Sequence, residues 1–335
     1  MLAAFEFTGP DRIPVVYTPS PAGLYVHGQK LLNLFAQYPP DNPLSVESLP
    51  APPPDTIDRE GRYYEVKTDP WGTEAEHMIF GVWGIPRRYP IASWAEGANY
   101  RFPPPAAFHA QNMLDKARLT RLREDYLIFT GWVSIFERLH AFRPLDEVLV
   151  DLYTGDPHLL AFLDRLVDYW HGVIAALMDA GADVIVFGDD WGTQTATIVS
   201  PALFRRIFKP LYRELMAPIK AAGRRVFFHT CGFLGGIFDE LLDLGVDGLW
   251  PQIGLFDADP RYAEMCRERK VAIYIHPDRQ RLIPFGEPQE IDAAIRAYAE
   301  KYHRMNGGGI FHVEMENDAP WENVEALVRA IDCYR

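Results

Sequence analysis

The sequence contains few cysteines, no long hydrophobic run and no excess of positive charge. Its three cysteines, Cys231, Cys266 and Cys333, are too sparse for a disulfide framework and fit a reducing compartment. No segment approaches the roughly 18 uncharged apolar residues that a membrane span needs. The N-terminus has no basic region of the kind that opens a secretory signal. These absences predict a cytoplasmic protein that does not interact with a membrane.

The charge balance argues against one class of partner. The formal net charge is -13 at pH 7, and lysine and arginine form only short pairs such as Arg87 and Arg88. A surface that binds nucleic acid needs a larger basic cluster to neutralise phosphates. We therefore expect a small-molecule substrate and no nucleic acid. A homodimer is left open.

Strand and helix patterns alternate from about residue 120 onward. Residues 156–183 predict a long helix, because apolar side chains from Leu159 to Leu177 recur at helical spacing. Ser200 is a good N-cap for a second helix that Gly223 would end. Short apolar strands lie between the helical segments: "IPVVY", "DYLIFTGW", "DVIVFGDD", "RRVFFHTC", "DGLWPQ", "VAIYIHPD" and "GGIFHVE".

This alternation is typical of parallel strands joined by crossover helices. It predicts an α/β fold, a (β/α)8 TIM barrel, with residues 1–335 forming a single domain. An open, doubly wound sheet is the alternative, although no GxGxxG motif follows the first strand. Residues 39–105 are rich in proline and turn signals, and they predict an excursion from the barrel or a lid.

Polar side chains stand at the ends of five successive predicted strands. In a barrel these carboxyl-terminal ends form the face that carries the chemistry. One such residue alone is more often a turn residue or a helix cap, but the recurrence in five strands predicts a polar cleft. The residues are Asp189, Asp190, His229, Cys231, Gln252, His276, Asp278, His312, Glu314 and Glu316.

His229 and Cys231 are the pair most indicative of a metal. Residues i and i+2 of a strand project to the same face, so the imidazole and the thiol can approach one ion. Both groups are suitable zinc ligands. The alternative is a buried thiol beside a core histidine. The third ligand is expected from Glu314 or Glu316 in the last strand, with His312 or Asp190 as the next candidates.

The segment "FGDDWGTQTATIVSPALFRRIFKPLYRELMAPIKAAGRRVFFHTCG", with "LLDLGVDGLWPQ" and "DAPWENVEAL" after it, resembles the uroporphyrinogen decarboxylase superfamily. The sequence is most similar to its zinc-binding, corrinoid-dependent methyltransferase branch. The resemblance covers residues 120–335 well and residues 1–119 loosely. It implies a single barrel in which His229 and Cys231 bind Zn²⁺, and methyl transfer to or from a corrinoid carried by a partner protein.

The sequence departs from both branches of that family. The methyltransferase branch has a second cysteine as a zinc ligand, where this chain has "HVEMENDAP". The decarboxylase branch has an arginine-rich N-terminal segment, where the first 35 residues here contain only Arg12 and Lys30. The expected substrate is therefore a small thiol or a methoxy compound. A decarboxylase and a non-catalytic metabolite-binding barrel are the alternatives.

The predicted site combines the residues with these roles. Asp189, Asp190, Gln194 and His276 are expected to line the catalytic cleft, and Gln252 and Asp278 to contact the cofactor. His229, Cys231 and either Glu314 or Glu316 are expected to hold the metal.

Overall fold

The computed structural model describes residues 1–44, 46–105, 107, 113–303 and 306–335. Its strands, in chain order, are β1 (Val15–Pro19), β2 (Glu65–Thr68), β3 (Glu74–His77), β4 (Ile85–Arg88), β5 (Phe129–Val133), β6 (Val184–Gly188), β7 (Arg225–Thr230), β8 (Gly248–Pro251), β9 (Ala272–Ile275) and β10 (Gly309–Met315).

The α-helices alternate with these strands along the second half of the chain. They are α1 (Leu2–Glu6), α2 (Pro21–His27), α3 (Gln29–Gln37), α4 (Trp94–Gly97), α5 (Lys116–Leu122), α6 (Phe136–Phe142), α7 (Leu145–Thr154), α8 (Pro157–Ala180), α9 (Pro201–Leu203), α10 (Lys209–Ala221), α11 (Ile237–Asp243), α12 (Ile253–Asp257), α13 (Pro260–Arg269), α14 (Leu282–Phe285), α15 (Pro288–His303) and α16 (Trp321–Tyr334).

Seven strands follow the order β1-β10-β9-β8-β7-β6-β5 in one sheet, and β2-β3-β4 form a second, small sheet. The pairs β1–β10, β10–β9, β5–β6 and β6–β7 are parallel. Parallel neighbours joined through helices confirm the predicted barrel-type α/β fold. No helix in the described part of the chain is both long enough and apolar enough to span a membrane.

The chain divides into two compact units. The first unit contains Met1–Glu65, Glu76–Gly84 and Trp250–Arg335, and the second contains Val66–Ala75 and Ile85–Leu249. In the first unit β1 pairs with β10 from Val15↔Phe311 to Pro19↔Met315. In the second unit β6 pairs with β7 from Val184↔Arg225 to Gly188↔His229. The organisation as one domain stays a prediction.

The apolar faces predicted from the sequence form the core of the second unit. The apolar positions predicted to recur on the long helix α8 are all buried: Leu159, Phe162, Leu163, Leu166, Trp170, Val173 and Leu177. Asp156 caps this helix by accepting hydrogen bonds from the backbone amides of His158 and Leu159. The long helix is therefore placed as its apolar spacing predicts.

Residues 39–105 form β2, β3, β4 and α4, and Ser45 lies outside the described residues. In the part of this segment that belongs to the second unit, Trp71 is buried. Its ring centroid lies 5.9 Å from that of Phe142 and 5.8 Å from that of Trp170. Trp71 thus anchors its part of the segment in an aromatic cluster. A role as a lid stays a prediction.

Candidate metal centre

Asp190, His229 and Cys231 come together at the ends of β6 and β7. His229 is the fifth residue of β7, Cys231 directly follows that strand, and Asp190 lies two residues beyond the end of β6. The candidate ligand atoms of the three residues all lie within 4.8 Å of one another. Because neighbouring parallel strands end at the same edge of the sheet, sequence-distant groups meet here.

The distances within this group fit a small divalent cation. Cys231 Sγ lies 3.5 Å from His229 Nε2, and His229 Nε2 lies 3.4 Å from Asp190 Oδ1. Tetrahedral zinc with bonds of roughly 2.0–2.3 Å separates its ligand atoms by about 3.3–3.7 Å. A nitrogen, a sulfur and an oxygen donor are a set that zinc accepts. The residues present therefore fit the metal that the family resemblance implies.

The protonation of His229 reflects this crowding. Burial lowers the pKa of His229, but hydrogen bonds to Asp190 and Cys231 and the charges of these two groups outweigh burial and raise the pKa to about 10. The two groups that favour a proton on the imidazole would also favour a cation in its place. A cation that bound here would displace that proton.

Two loops brace the three side chains. The amide of Cys231 donates to Asp190 Oδ1 at 2.7 Å, and the amide of Phe233 donates to the carbonyl of Thr193 at 2.7 Å. A Cβ on Gly232 would lie 2.0 Å from the carbonyl oxygen of Gly192. Only glycine at position 232 lets the loop after β7 approach the loop after β6 this closely.

The backbone at Asp190 is also held in place by the neighbouring residue, Trp191, whose ring is buried. The Trp191 ring is fully buried, with ring centroids 4.7 Å from Phe136, 4.9 Å from Phe204 and 4.7 Å from Phe208. This aromatic anchor holds the start of the loop and leaves Asp190 partly exposed at the centre.

Asp189 occupies a different environment from Asp190. Its carboxylate is fully buried and accepts hydrogen bonds from Ser134 Oγ at 2.8 Å, from the Ile135 and Glu137 amides at 2.8 and 2.7 Å, and from the Tyr212 hydroxyl. Burial raises the pKa of Asp189, although these four donors oppose the rise. Such contacts are typical of a structural carboxylate, and its catalytic role stays a prediction. Gln194 lies exposed in the loop after β6.

Glu137, at the start of α6, is an acidic residue of this region that the sequence analysis missed. Burial raises the pKa of Glu137 to about 8, and the charges of Asp189 and Asp190 add to the rise. His229 acts in the opposite direction. Glu137 is therefore protonated at neutral pH in the metal-free protein. Its position in the first turn of α6, four residues after β5, explains why the pattern of polar residues directly at strand ends gave no signal for it.

The remaining predicted residues lie in the first unit. His276 is buried, and its ring centroid lies 4.9 Å from that of His312. His312 Nε2 forms a 2.6 Å hydrogen bond with Thr18 Oγ1. Gln252 Nε2 donates to Gln280 Oε1 at 3.1 Å. Asp278 Oδ1 accepts from the amide of Gln280 at 2.9 Å, so it caps a turn.

The two predicted glutamate ligands have partners within the first unit. Glu314 Oε2 lies 3.0 Å from Arg279 Nη1, and Glu316 Oε2 accepts from Ser20 Oγ at 3.0 Å. In the described residues the structure groups Asp190, and neither glutamate, with His229 and Cys231. A ligand role for Glu314 or Glu316, like the roles of His276, Gln252 and Asp278, stays a prediction.

Comparisons with known proteins now complement this geometry. The family model for uroporphyrinogen decarboxylase (URO-D) matches residues 142–334. Among solved structures, a methyltransferase from Methanosarcina mazei is similar at a TM-score of 0.65 and 17% identity, covering 99% of this chain and 97% of that one. No curated protein matches the sequence.

A dihydropteroate synthase from Xanthomonas albilineans is also similar, with a TM-score of 0.35, 14% identity, and coverage of 59% of this chain and 64% of that one. That score is too low to carry an argument. The methyltransferase, at its low identity, shows the fold. The family model covers more than half of the chain, and the protein therefore belongs to the uroporphyrinogen decarboxylase family.

Proposed function

We propose that the protein is a zinc-dependent methyltransferase that moves a methyl group between a small thiol or methoxy substrate and a corrinoid on a partner protein. One observation carries the proposal: Asp190, His229 and Cys231 place an oxygen, a nitrogen and a sulfur donor within 4.8 Å of one another. The similarity in fold to a methyltransferase supports the reaction class. Asp190 would supply the third donor, for which the methyltransferase branch uses a second cysteine at a different place in the chain.

A bound zinc ion supplies Lewis acidity, which stabilises a thiolate or polarises an ether oxygen. The chain's own residues do the rest. Cys231, His229 and Asp190 bind the cation, and the Cys231 amide keeps the Asp190 carboxylate oriented. Glu137, a buried carboxyl group that interacts electrostatically with Asp189 and Asp190, is the candidate acid or base for a substrate that gains or loses a methyl group.

Decarboxylation is the second candidate, because the matching family model bears that name. A substrate with several carboxylates needs several cations to bind it. Of the two cations among the first 35 residues, Arg12 already pairs with Asp41 at 2.7 Å. This contact makes Arg12 a poor candidate for binding such a substrate and favours methyl transfer.

Metal analysis of the purified protein tests the proposal. We expect about one zinc per chain, because the centre offers one set of ligands. Cys231→Ser should lose most of the metal and keep the circular dichroism spectrum, since the residue lies at a strand end outside the core. Cys333→Ser, at an exposed position, is the matched control and should keep the metal. Equal metal content in both variants would contradict the assignment of Cys231.

The reaction is tested by the visible absorbance of a cobalt corrinoid, which changes with the oxidation and methylation state of cobalt. We expect turnover with a thiol or a methyl ether from a panel, and none with uroporphyrinogen. Uroporphyrinogen turnover without corrinoid chemistry would favour the decarboxylase. Absence of metal and of both activities would favour the metabolite-binding barrel.

A further inference from the structure

β5 contains a bulge next to the candidate metal centre. Thr130 pairs with Ile185 and Val133 pairs with Phe187, so β5 advances three residues while β6 advances two. Gly131, within the bulge, has φ +91°, a value that side-chain-bearing residues rarely adopt. A bulge of this kind redirects the side chain that follows it. Here that side chain is Trp132.

The redirected indole lies on the backbone of β6. A Cβ on Gly188 would lie 2.3 Å from Cε2 and Cζ2 of Trp132. The ring therefore occupies the space that any other residue at position 188 would fill. Gly188 is the last residue of β6, two positions before Asp190.

Trp132 also packs against His229, the middle residue of the candidate metal centre. Its ring centroid lies 5.3 Å from that of His229, with an angle of 38° between the planes. His229 is buried, and Trp132 is half-buried. The bulge at Gly131 and the bare backbone at Gly188 thus have one shared result, which is an indole ring packed at a tilt of 38° against the His229 imidazole.

We propose that Trp132 is a positioning residue for His229. The inference rests on the proposed function, because it presumes that His229 binds a metal. The second side-chain torsion of histidine has broad minima, so packing has to fix the plane of the ring. The indole face sets that plane with Nε2 directed toward Cys231 and Asp190, at the 3.5 and 3.4 Å separations described above. Outer residues that hydrogen-bond a metal-binding histidine contribute roughly 10- to 100-fold to metal affinity, and we use this range as the scale for a residue that orients the ring by packing.

Zinc affinity measured by competition with a chelator tests the proposal. We expect Trp132→Leu, which is apolar but has no aromatic face, to raise the zinc Kd by about 10- to 100-fold. Gly188→Ala should have the same effect because its methyl group displaces the indole. Trp132→Phe keeps an aromatic face and should stay within about tenfold of the unmodified protein. Trp83→Ala, at an exposed tryptophan, is the control.

The Co²⁺-substituted protein provides a readout that a purely structural role would not change. The visible bands of Co²⁺ depend on ligand geometry, so Trp132→Leu and Gly188→Ala should shift them while Trp132→Phe and Trp83→Ala leave them in place. Thermal unfolding identifies any variant that fails to fold. The positioning role is then tested with the folded variants among Trp132→Leu, Gly188→Ala and Trp132→Phe.

Unchanged zinc Kd and unchanged Co²⁺ spectra in both Trp132→Leu and Gly188→Ala would overturn the positioning role while leaving the metal centre intact. A native protein that binds neither Zn²⁺ nor Co²⁺ would overturn the proposed function, and the positioning role with it. The two failures are therefore distinguishable.

Discussion

The surroundings of Glu137 disfavour the charged form of its carboxyl group. The raised pKa of about 8 follows first from burial and then from the charges of Asp189 and Asp190. In the unfolded chain the same carboxyl group has its ordinary, lower pKa. Folding therefore binds a proton at Glu137 between these two pKa values. Its contribution to stability is present below the unfolded pKa and is lost as the pH rises through about 8.

Glu137→Gln should weaken the pH dependence of stability in the metal-free protein. We expect native Glu137 to lower the free energy of unfolding by up to about 1.4 kcal/mol per pH unit across this window, and the variant to lack that slope. Urea unfolding between about pH 5 and pH 8 measures it. Glu124→Gln, at an exposed position, is the control. Parallel pH profiles for the native protein and Glu137→Gln would contradict the assignment.

At this scale the sequence predicted that the side chains of His229 and Cys231 approach each other, but not what surrounds them. His229 and Cys231 were recognisable because i, i+2 spacing on a strand determines a shared face. Asp190 was recognisable at a strand end, as a cleft residue and, after Glu314 and Glu316, as a later candidate for the third ligand. Trp132 escaped because its orientation depends on a bulge, which no apolar pattern in "DYLIFTGW" reveals.

The carboxylate of Asp189 joins three elements of the second unit. It follows β6, accepts from Ser134, Ile135 and Glu137 at the β5–α6 connection, and accepts from Tyr212 in α10. If one of these donors is removed, the carboxylate keeps the free-energy cost of leaving water but loses one of the hydrogen bonds that offset this cost. This network fixes the start of α6, where Glu137 lies.

Tyr212→Phe should destabilise the protein by roughly 1–3 kcal/mol, because it removes one donor from a buried carboxylate without changing the size of the ring. Chemical unfolding monitored by circular dichroism measures the change. Tyr153→Phe makes the same substitution at an exposed position and should have little effect. Equal stabilities of the two variants would show that the Asp189 network does not depend on Tyr212.

Helices and strands were the most predictable level. Ser200 was expected to cap a helix, and its hydroxyl accepts from the Leu203 amide at 3.1 Å. The predicted helix also contains a π-helical segment, Phe204–Phe208, between α9 and α10. This irregularity brings Phe204 and Phe208 against Trp191, a tertiary contact that local spacing does not encode.

For the whole molecule, the residues predicted to bind metal are divided between the two compact units. His229 and Cys231 belong to the second unit with Asp190, whereas Glu314 and Glu316 belong to the first. Sequence position alone could not separate the acidic candidates, because each stands at or near the C-terminal end of a strand. The choice among them is open to direct measurement.

Asp190→Asn should raise the zinc Kd by more than about tenfold, because an amide oxygen is a weaker ligand than a carboxylate. Loss of a direct ligand should weaken zinc binding at least as much as loss of a residue that only contacts a ligand. Glu314→Gln and Glu316→Gln should have smaller effects, because Glu314 already pairs with Arg279 and Glu316 already accepts a hydrogen bond from Ser20. Chelator competition on the three variants ranks them. A larger loss in either glutamine variant would restore the glutamate as the oxygen ligand.

The three donors of the candidate centre also share one short part of the chain, residues 190–231, which contains one crossover from β6 to β7. Contacts between residues close in sequence form quickly, and the free energy of binding a cation to such residues adds to the free energy of folding. During synthesis on the ribosome this crossover leaves the exit tunnel before the C-terminal part of the chain has been made. All three donors can therefore be outside the ribosome while β10 is still missing, and none of them comes from that last strand.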